Sequence, residues 1–328
     1  MSQYTIDNTT FSNNTNSFNN NVQNNYVVAD DRSQLLAWLS PLEAKLRHCD
    51  IQERRVDNVG EWLLQTAEFR TWHDWSGESE GDKAVLFCYG GPGVGKTFIR
   101  YHNRNYSRRE ERESVLTGHN VSSLVIDRLC DQSKGQNTAV TCFYLDFAAR
   151  KEQSVTSILG SLLRQIVGGM EKVPEEITQV FQEQKMAIGG RGPRLPDTVK
   201  MLQTITSSLR TFVCIDALDE CAAPNRVKLL NSLQQILEKS PRTRIFIIGR
   251  PHVRAEVEKR LTRRVISVSV EPSKDDIMEY LRLRLDEDET PDAMDESLEA
   301  DILEKIPKKM SEMYVEAIMQ GIPPHTIR

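Results

Sequence analysis

The chain has little that would tie it to an oxidising compartment, a membrane or a polyanion. Its 328 residues hold six cysteines, Cys49, Cys88, Cys130, Cys142, Cys214 and Cys221, with no C-x-x-C pair. Three of them fall inside apolar, strand-like runs, where a free thiol behaves as a small hydrophobe. Neither a disulfide framework nor a zinc site is expected, which suggests a soluble, reduced, cytoplasmic protein. No apolar run reaches the ~18–20 residues of a membrane span, and the N-terminus lacks the charged-then-apolar order of a signal peptide. Lys and Arg total 42 against 47 Asp and Glu, a net of −5, so no overall basic field is available for nucleic acid. Apolar residues make up 39%, slightly under the globular average, and the shortfall is uneven.

Residues 1–31 carry much of that shortfall. The segment is rich in Asn, Ser and Thr, with runs such as Asn13-Asn14-Thr-Asn16 and Asn19-Asn20-Asn21. So few apolar groups cannot offset the entropy of ordering, so disorder is one reading. The other is a templating segment, because Asn ladders with interleaved Phe11, Phe18, Val22 and Tyr26 suit cross-β stacking and an amyloid-type partner.

Residues 32–82 read as a helical arm and linker. Leu35, Leu36, Trp38, Leu39, Leu42 and Leu46 recur at spacings of three and four, and a second stripe runs through Val59, Trp62, Leu63, Leu64 and Phe69 towards Trp72 and Trp75. Both stripes are expected to be core. Pro41 suits the first turn of a new helix. Gly77 to Asp82 reads as the linker.

From residue 83 to 272 the pattern changes to short apolar runs alternating with helical periods. The runs are Ala84–Tyr89, Val140–Phe147, Thr211–Ile215, Arg244–Ile248 and Val265–Val270; helices are expected near Val155–Val167, Asp197–Leu209, Val227–Leu237 and Val253–Leu261. Strands that are apolar throughout argue for a mostly parallel sheet between layers of helices. Residues 273–328 read as a short helical segment, with helices near Ile277–Leu285 and Leu298–Met310.

The chemistry begins after the first run. Gly90, Gly91, Pro92, Gly93, Val94, Gly95, Lys96 and Thr97 match G-x-x-x-x-G-K-[ST], directly after an apolar strand, the context such a motif requires. Glycines let consecutive backbone N–H groups converge on phosphate oxygens, and the helix that follows adds its positive end. Lys96 would reach the β- and γ-phosphates, and the Thr97 hydroxyl would ligate Mg2+. The third run ends at Asp216, followed by Ala217, Leu218, Asp219 and Glu220. A carboxylate at the tip of a buried strand beside a phosphate loop is where Mg2+ needs its outer ligand. Glu220 or Asp219 could orient or deprotonate an attacking water; alternatively the acidic pair caps a helix. The fourth run delivers Arg250, whose guanidinium could sense a γ-phosphate, or simply start a helix. His252 receives no role.

Together these residues resemble NACHT-type STAND nucleotide switches, and in particular the nephrocystin-like P-loop domain of fungal NLR-type receptors. Trp38 to Glu43, Gly60 to Phe69, Phe143 to Phe147 and Ser161 to Gln165 are similar to that family's segments, so the resemblance covers roughly residues 32–310. It implies a P-loop NTPase fold with a five-stranded sheet. Gly90 to Thr97 would hold ATP (or GTP), Asp216 would hold Mg2+, Glu220 would support slow hydrolysis, and Arg250 would be the sensor. It further implies a signalling switch in self/non-self recognition or programmed cell death, closed with ADP and forming homo-oligomers in the triphosphate state. Two other readings remain: a non-catalytic truncated receptor or adaptor, and a metabolic P-loop kinase.

Three departures qualify the resemblance. Gly249 stands where the family usually has Ser. The C-terminal sensor repeats of such receptors are not present in 328 residues. Finally, the helix after Lys96-Thr-Phe-Ile99 gives way to a charged stretch, and apolar periodicity resumes only at Ser122. Excising residues 100–121 leaves one uninterrupted amphipathic helix. Codons for Arg100-Tyr101, Leu116-Thr117 and Val121-Ser122 can supply a donor, a branch site and an acceptor. This segment is therefore either a retained intron or a surface loop, which costs little chain entropy.

Overall fold

Five apolar strands separated by helices form one all-parallel sheet in this computed structural model, which describes residues 31–53, 55, 59–74, 83–90, 118–185, 192–261, 264–270, 274–286 and 296–319. The strands are β1 (Val85–Tyr89), β2 (Thr138–Tyr144), β3 (Arg210–Asp216), β4 (Thr243–Gly249) and β5 (Val265–Ser269), in spatial order β2-β3-β4-β1-β5. This is the P-loop NTPase architecture expected from the sequence. The chain leaves β1 for the far edge, returns through β3 and β4, and then passes β1 to reach β5. Strand order therefore reverses around β1, and the C-terminal ends of β1, β4 and β3 lie side by side at one edge of the sheet.

The strands are apolar at consecutive positions because both faces are covered. Val85, Phe87, Val213, Ile215, Ile245 and Ile247 join one buried cluster. Leu86, Cys88, Phe212, Cys214, Phe246 and Ile248 join the other. The first face is covered by α6 (Val155–Gly169), α8 (Leu195–Ser208), α9 (Ala223–Lys239) and α10 (Arg254–Arg260). The opposite face carries α5 (Gly118–Ser133) through Val121, Val125, Ile126 and Leu129. Strand-borne Cys88, Cys142 and Cys214 are buried, and burial pushes the Cys142 thiol up to about 12. They act as core, as expected.

The arm begins with α1 (residues 31–39), followed by α2 (Ala44–Glu53), α3 (Trp62–Gln65) and α4 (Ala67–His73). It contributes to both faces: Leu35 and Leu39 pack with α6, whereas Ile51, Leu63, Phe69 and Trp72 join the α5 side. Between them α2 packs on β2, an edge strand. The side-chain amide of Gln165 also donates to Cys142 O at 2.8 Å and accepts from Cys142 N at 3.0 Å, standing in for a neighbouring strand. Trp72 is fully buried, donates Nε1–H to Ala84 O at 3.2 Å, and meets Phe212 edge-on.

α1 is held on α6 by close backbone approach. A Cβ on Gly160 would lie 2.1 Å from Leu39 O, so only glycine allows the crossing. Around it, Ser40 Oγ–H donates to Ser157 O at 2.9 Å and Arg164 Nη1 donates to Ser40 O at 2.9 Å. The Arg32 guanidinium reaches the last carbonyls of α6, with Met170 O at 2.6 Å, as a cation at a helix C-terminus should.

Several expectations shift. Leu46 is 63% exposed rather than core, because α2 turns another face inward. Pro41 lies in a bend, and α2 begins only at Ala44. β2 ends at Tyr144, short of Phe147, where the chain turns into a loop. α7 (Glu175–Lys185) was not anticipated: only Ile177 and Phe181 of it are buried, too few for a clear period. α11 (Lys274–Asp286) and α12 (Glu296–Met319) pack on each other, and α12 runs on through Pro307. The Asn-rich tail, Trp75, the Gly77–Asp82 linker and most of 100–121 lie outside the described residues. No described helix is long and apolar enough to cross a membrane.

Gly160→Ala is expected to cost roughly 3 kcal/mol by overpacking, lowering the melting temperature by about 5–10 °C for a chain of this size. A thermal melt followed by circular dichroism checks it; an unchanged midpoint would show that α1 does not depend on this crossing.

Candidate functional site

The described part of the site is built from strand tips. Parallel strands end together, so Tyr89 of β1 with Gly90 after it, Gly249 of β4 with Arg250 after it, and Asp216 of β3 come to one edge; Tyr89 pairs in register with Gly249. Gly90 is described. Gly91, Pro92, Gly93, Val94, Gly95, Lys96 and Thr97 lie outside the described residues.

Asp216 is 3% exposed. Its Oδ1 accepts a short hydrogen bond from the Ser122 hydroxyl on α5, and its carbonyl accepts from Leu145 N at 3.1 Å. The next residue, Ala217, is the one non-glycine with positive φ among the described residues (φ 54°, ψ 45°). That left-handed turn reverses the chain directly into the 3-10 turn Leu218–Glu220, closed by Glu220 N donating to Ala217 O at 2.8 Å.

The two acidic residues of that turn do different things. Asp219 points inward: Oδ1 accepts from Arg250 N at 3.1 Å, and Oδ2 forms an ion pair with Arg250 Nε at 3.0 Å. Its side chain is 4% exposed whereas that of Arg250 is 39% exposed, so the carboxylate fixes the arginine while its guanidinium remains partly open to solvent. Glu220 points to the β2–α6 loop, where Oε2 accepts from Phe147 N at 3.0 Å. Arg150 donates Nε–H to Glu220 O at 2.5 Å and stacks 3.8 Å above the exposed Phe147 ring. Of the two candidate bases, Glu220 is the better placed to face solvent, and Asp219 serves Arg250.

Gly249 also has a local reason. A Cβ there would meet Val253 Cγ2 at 3.1 Å and Phe87 at 3.4 Å, so the Pro251–Val253 turn packs against the strand where a larger residue would crowd it. Beside it, Arg254 donates to the Tyr89 hydroxyl at 2.7 Å and pairs with Glu258 at 2.7 Å, closing the β1 side of the edge.

One cluster near this edge was not anticipated. His48, Gln52 and Arg55, spaced by four and three along the arm, all reach Asp127 of α5. His48 Nε2 lies 3.0 Å from Oδ1, Gln52 Nε2 donates to Oδ2 at 3.3 Å, and Arg55 makes a short contact with Oδ2. The other His48 nitrogen lies 2.8 Å from the Tyr144 hydroxyl, and Arg55 also donates to Ser123 Oγ at 3.2 Å. Burial opposes the Asp127 charge, but the hydrogen bonds and positive charges of His48 and Arg55 prevail and hold its carboxyl below the usual range. Burial pushes the Tyr144 phenol far above its ordinary value, so it stays protonated. The available signal was the His48-Gln52-Arg55 spacing, together with a carboxylate beside the apolar stripe of α5. No group of three or more His, Cys, Asp or Glu side chains that could hold a metal ion is present among the described residues.

The family model described as nephrocystin 3, N-terminal, matches residues 58–117 and 119–250, more than half of the chain. Among solved structures, the chain resembles the ORC1 protein of Aeropyrum pernix, solved in complex with DNA, at 16% identity and TM-score 0.40, covering 69% of this chain and 49% of that one. It also resembles Cdc6p from Pyrobaculum aerophilum at 14% identity and TM-score 0.44, covering 88% of this chain and 67% of that one. A Walker-type ATPase of Pyrococcus abyssi aligns at 15% identity and TM-score 0.41, covering 82% and 70%. The chain thus spans about half the length of the Aeropyrum protein. No curated protein matches it.

Removing the Asp219 carboxylate leaves the Arg250 amide and guanidinium without their buried partner. Asp219→Ala is expected to lower unfolding free energy by about 2 kcal/mol, whereas Glu220→Gln should change it by less than about 0.5 kcal/mol. Urea titration distinguishes the two; equal losses would contradict the division of roles.

Proposed function

The chain belongs to the nephrocystin 3 N-terminal family, and from that premise we propose that it is a nucleotide-binding switch that turns over slowly. The observation that carries this reading is the shared edge: Asp216 at the tip of β3 and Arg250 just after β4 lie on one side of Gly90, where the phosphate-loop motif leaves β1. ATP is favoured over GTP by the resemblance. Backbone N–H groups of Gly90 to Gly95 and the Lys96 ammonium would hold the phosphates. Thr97 and Asp216 fit Mg2+ as a hydroxyl and a buried carboxylate, with the remaining positions filled by phosphate and water. Bound Mg2+ would neutralise phosphate charge. Glu220 would orient the attacking water, and Arg250, held by Asp219, would read the γ-phosphate.

The finer reading is a cytoplasmic STAND-type signalling switch of the NACHT kind, whose triphosphate state self-associates. In it, residues 83–272 form the nucleotide unit, with the arm before it and residues 273–328 after it. The Asn-rich tail would then recruit partners, by amyloid-type stacking if it templates.

The charged segment bears directly on this function. Removing residues 100–121 places Ile99 before Ser122, so Lys96, Thr97, Phe98 and Ile99 take the helical positions of Gly118, His119, Asn120 and Val121. Ile99 then replaces buried Val121 with another apolar residue, and Lys96 opens the helix that carries Ser122. The shortened chain is therefore proposed as the tighter nucleotide binder.

Lys96→Ala should weaken ATP binding roughly a hundredfold, the loss of one charge-assisted contact, read by titration with a fluorescent ATP analogue; unchanged affinity refutes the site. Glu220→Gln should preserve binding and slow turnover on the order of a hundredfold; a normal phosphate-release rate would place the base elsewhere. Deleting residues 100–121 should tighten binding at least about tenfold; a folded deletion with weaker binding would make the segment part of the site.

A further inference from the structure

The polar cluster on Asp127 joins the arm to two segments that hydrogen-bond Asp216, one at its carboxylate and one at its main-chain carbonyl. On one route, Arg55 holds Ser123, and adjacent Ser122 donates to Asp216 Oδ1. On the other, His48 holds the Tyr144 hydroxyl, and Tyr144 is the β2 residue paired in register with Asp216. Leu145, the next residue, donates its N–H to Asp216 O at 3.1 Å. Asp127 lies between the two routes and receives His48, Gln52 and Arg55 together.

The cluster is well suited to transmit position. The side chains of His48, Arg55 and Asp127 are 15%, 17% and 19% exposed, so the ion pairs are largely shielded from solvent. All three arm residues grip one carboxylate, which fixes the axial position of α5 against α2. A slip of α5 would carry Ser122 away from Asp216.

We infer that His48, Arg55 and Asp127 form a positioning clamp through which the N-terminal arm sets the Asp216 carboxylate, and with it the Mg2+ dependence of nucleotide binding. The inference rests on the nucleotide-binding reading for its Mg2+ readout, but not for its structural one. His48, Arg55, Asp127 and Ser122 are positioning residues: none is assigned contact with nucleotide. The arm is thereby the element through which a partner bound to the N-terminus could reach the metal site.

The test uses the full chain, its Asp127→Asn and His48→Ala variants, and Arg164→Ala as a control that loosens the arm at α6 instead. Nucleotide affinity is measured with Mg2+ and with chelator, after a melt confirms folding. Asp127→Asn and His48→Ala should reduce the Mg2+ enhancement at least about fivefold while affinity in chelator stays within about twofold. Arg164→Ala should leave the enhancement unchanged, and His48→Gln, which restores a donor towards Asp127, should recover part of it. Parallel losses in both conditions, or no loss in either, overturn the clamp. Amide hydrogen exchange at residues 215–221 provides the second readout, with faster exchange expected in Asp127→Asn and unchanged exchange overturning the clamp. If the native chain binds no nucleotide under either condition, the nucleotide reading fails, and the exchange result alone decides for or against the clamp.

Discussion

The structure depends on a sheet that is covered on both faces. Consecutive residues of β1, β3 and β4 enter opposite clusters, so no face of these strands is available for polar chemistry. The residues proposed for function lie at the strand tips, where backbone groups and side chains from neighbouring strands come together in register. Asp216, Gly249 and Arg250 lie there because strands in parallel register end at one edge. The left-handed turn at Ala217 extends that logic, since it bends the chain sharply enough for Asp219 to reach back under Arg250.

An edge strand would normally weaken such a sheet. β2 is protected twice, by the side-chain amide of Gln165 and by α2. The arm reaches α2 by passing from the α6 face to the α5 face, which explains why its apolar residues divide between two clusters. The close crossing at Gly160 and the Arg32 cap hold its first helix, and the Asp127 cluster and Trp72 hold its later part.

Much of the fold was legible because its signals are local. An uninterrupted apolar run says that both faces are buried, and five such runs with intervening helical periods specify the layers and the parallel sense. The glycine-rich motif stands out in the sequence because the chemistry expected of it would reside in the backbone of one short segment, most of which lies outside the described residues. What was not legible depends on distant partners. The different fates of Asp219 and Glu220 depend on a one-residue turn whose direction no pattern reveals. Ser122 acquires meaning only from Asp216, ninety-four positions away. Leu46 fits the helical stripe that includes Leu42, yet the inward face of α2 is set by His48 and Ile51 instead.

These long-range pairs also change how the arm should be regarded. A segment that merely preceded the sheet could attach through apolar contacts alone, because shape and burial suffice for attachment. Here His48 and Arg55 are held on one carboxylate in a largely shielded position, with Gln52 at its exposed rim, an arrangement that costs desolvation and adds little stability beyond an apolar equivalent. What such a cluster supplies is register: apolar surfaces tolerate sliding, whereas directed hydrogen bonds to Asp127, Tyr144 and Ser123 do not. Register matters most where a displaced helix would misplace a buried hydroxyl, and α5 carries Ser122 against the Asp216 carboxylate. The costliest contacts of the arm thus fall where positional error would be most damaging.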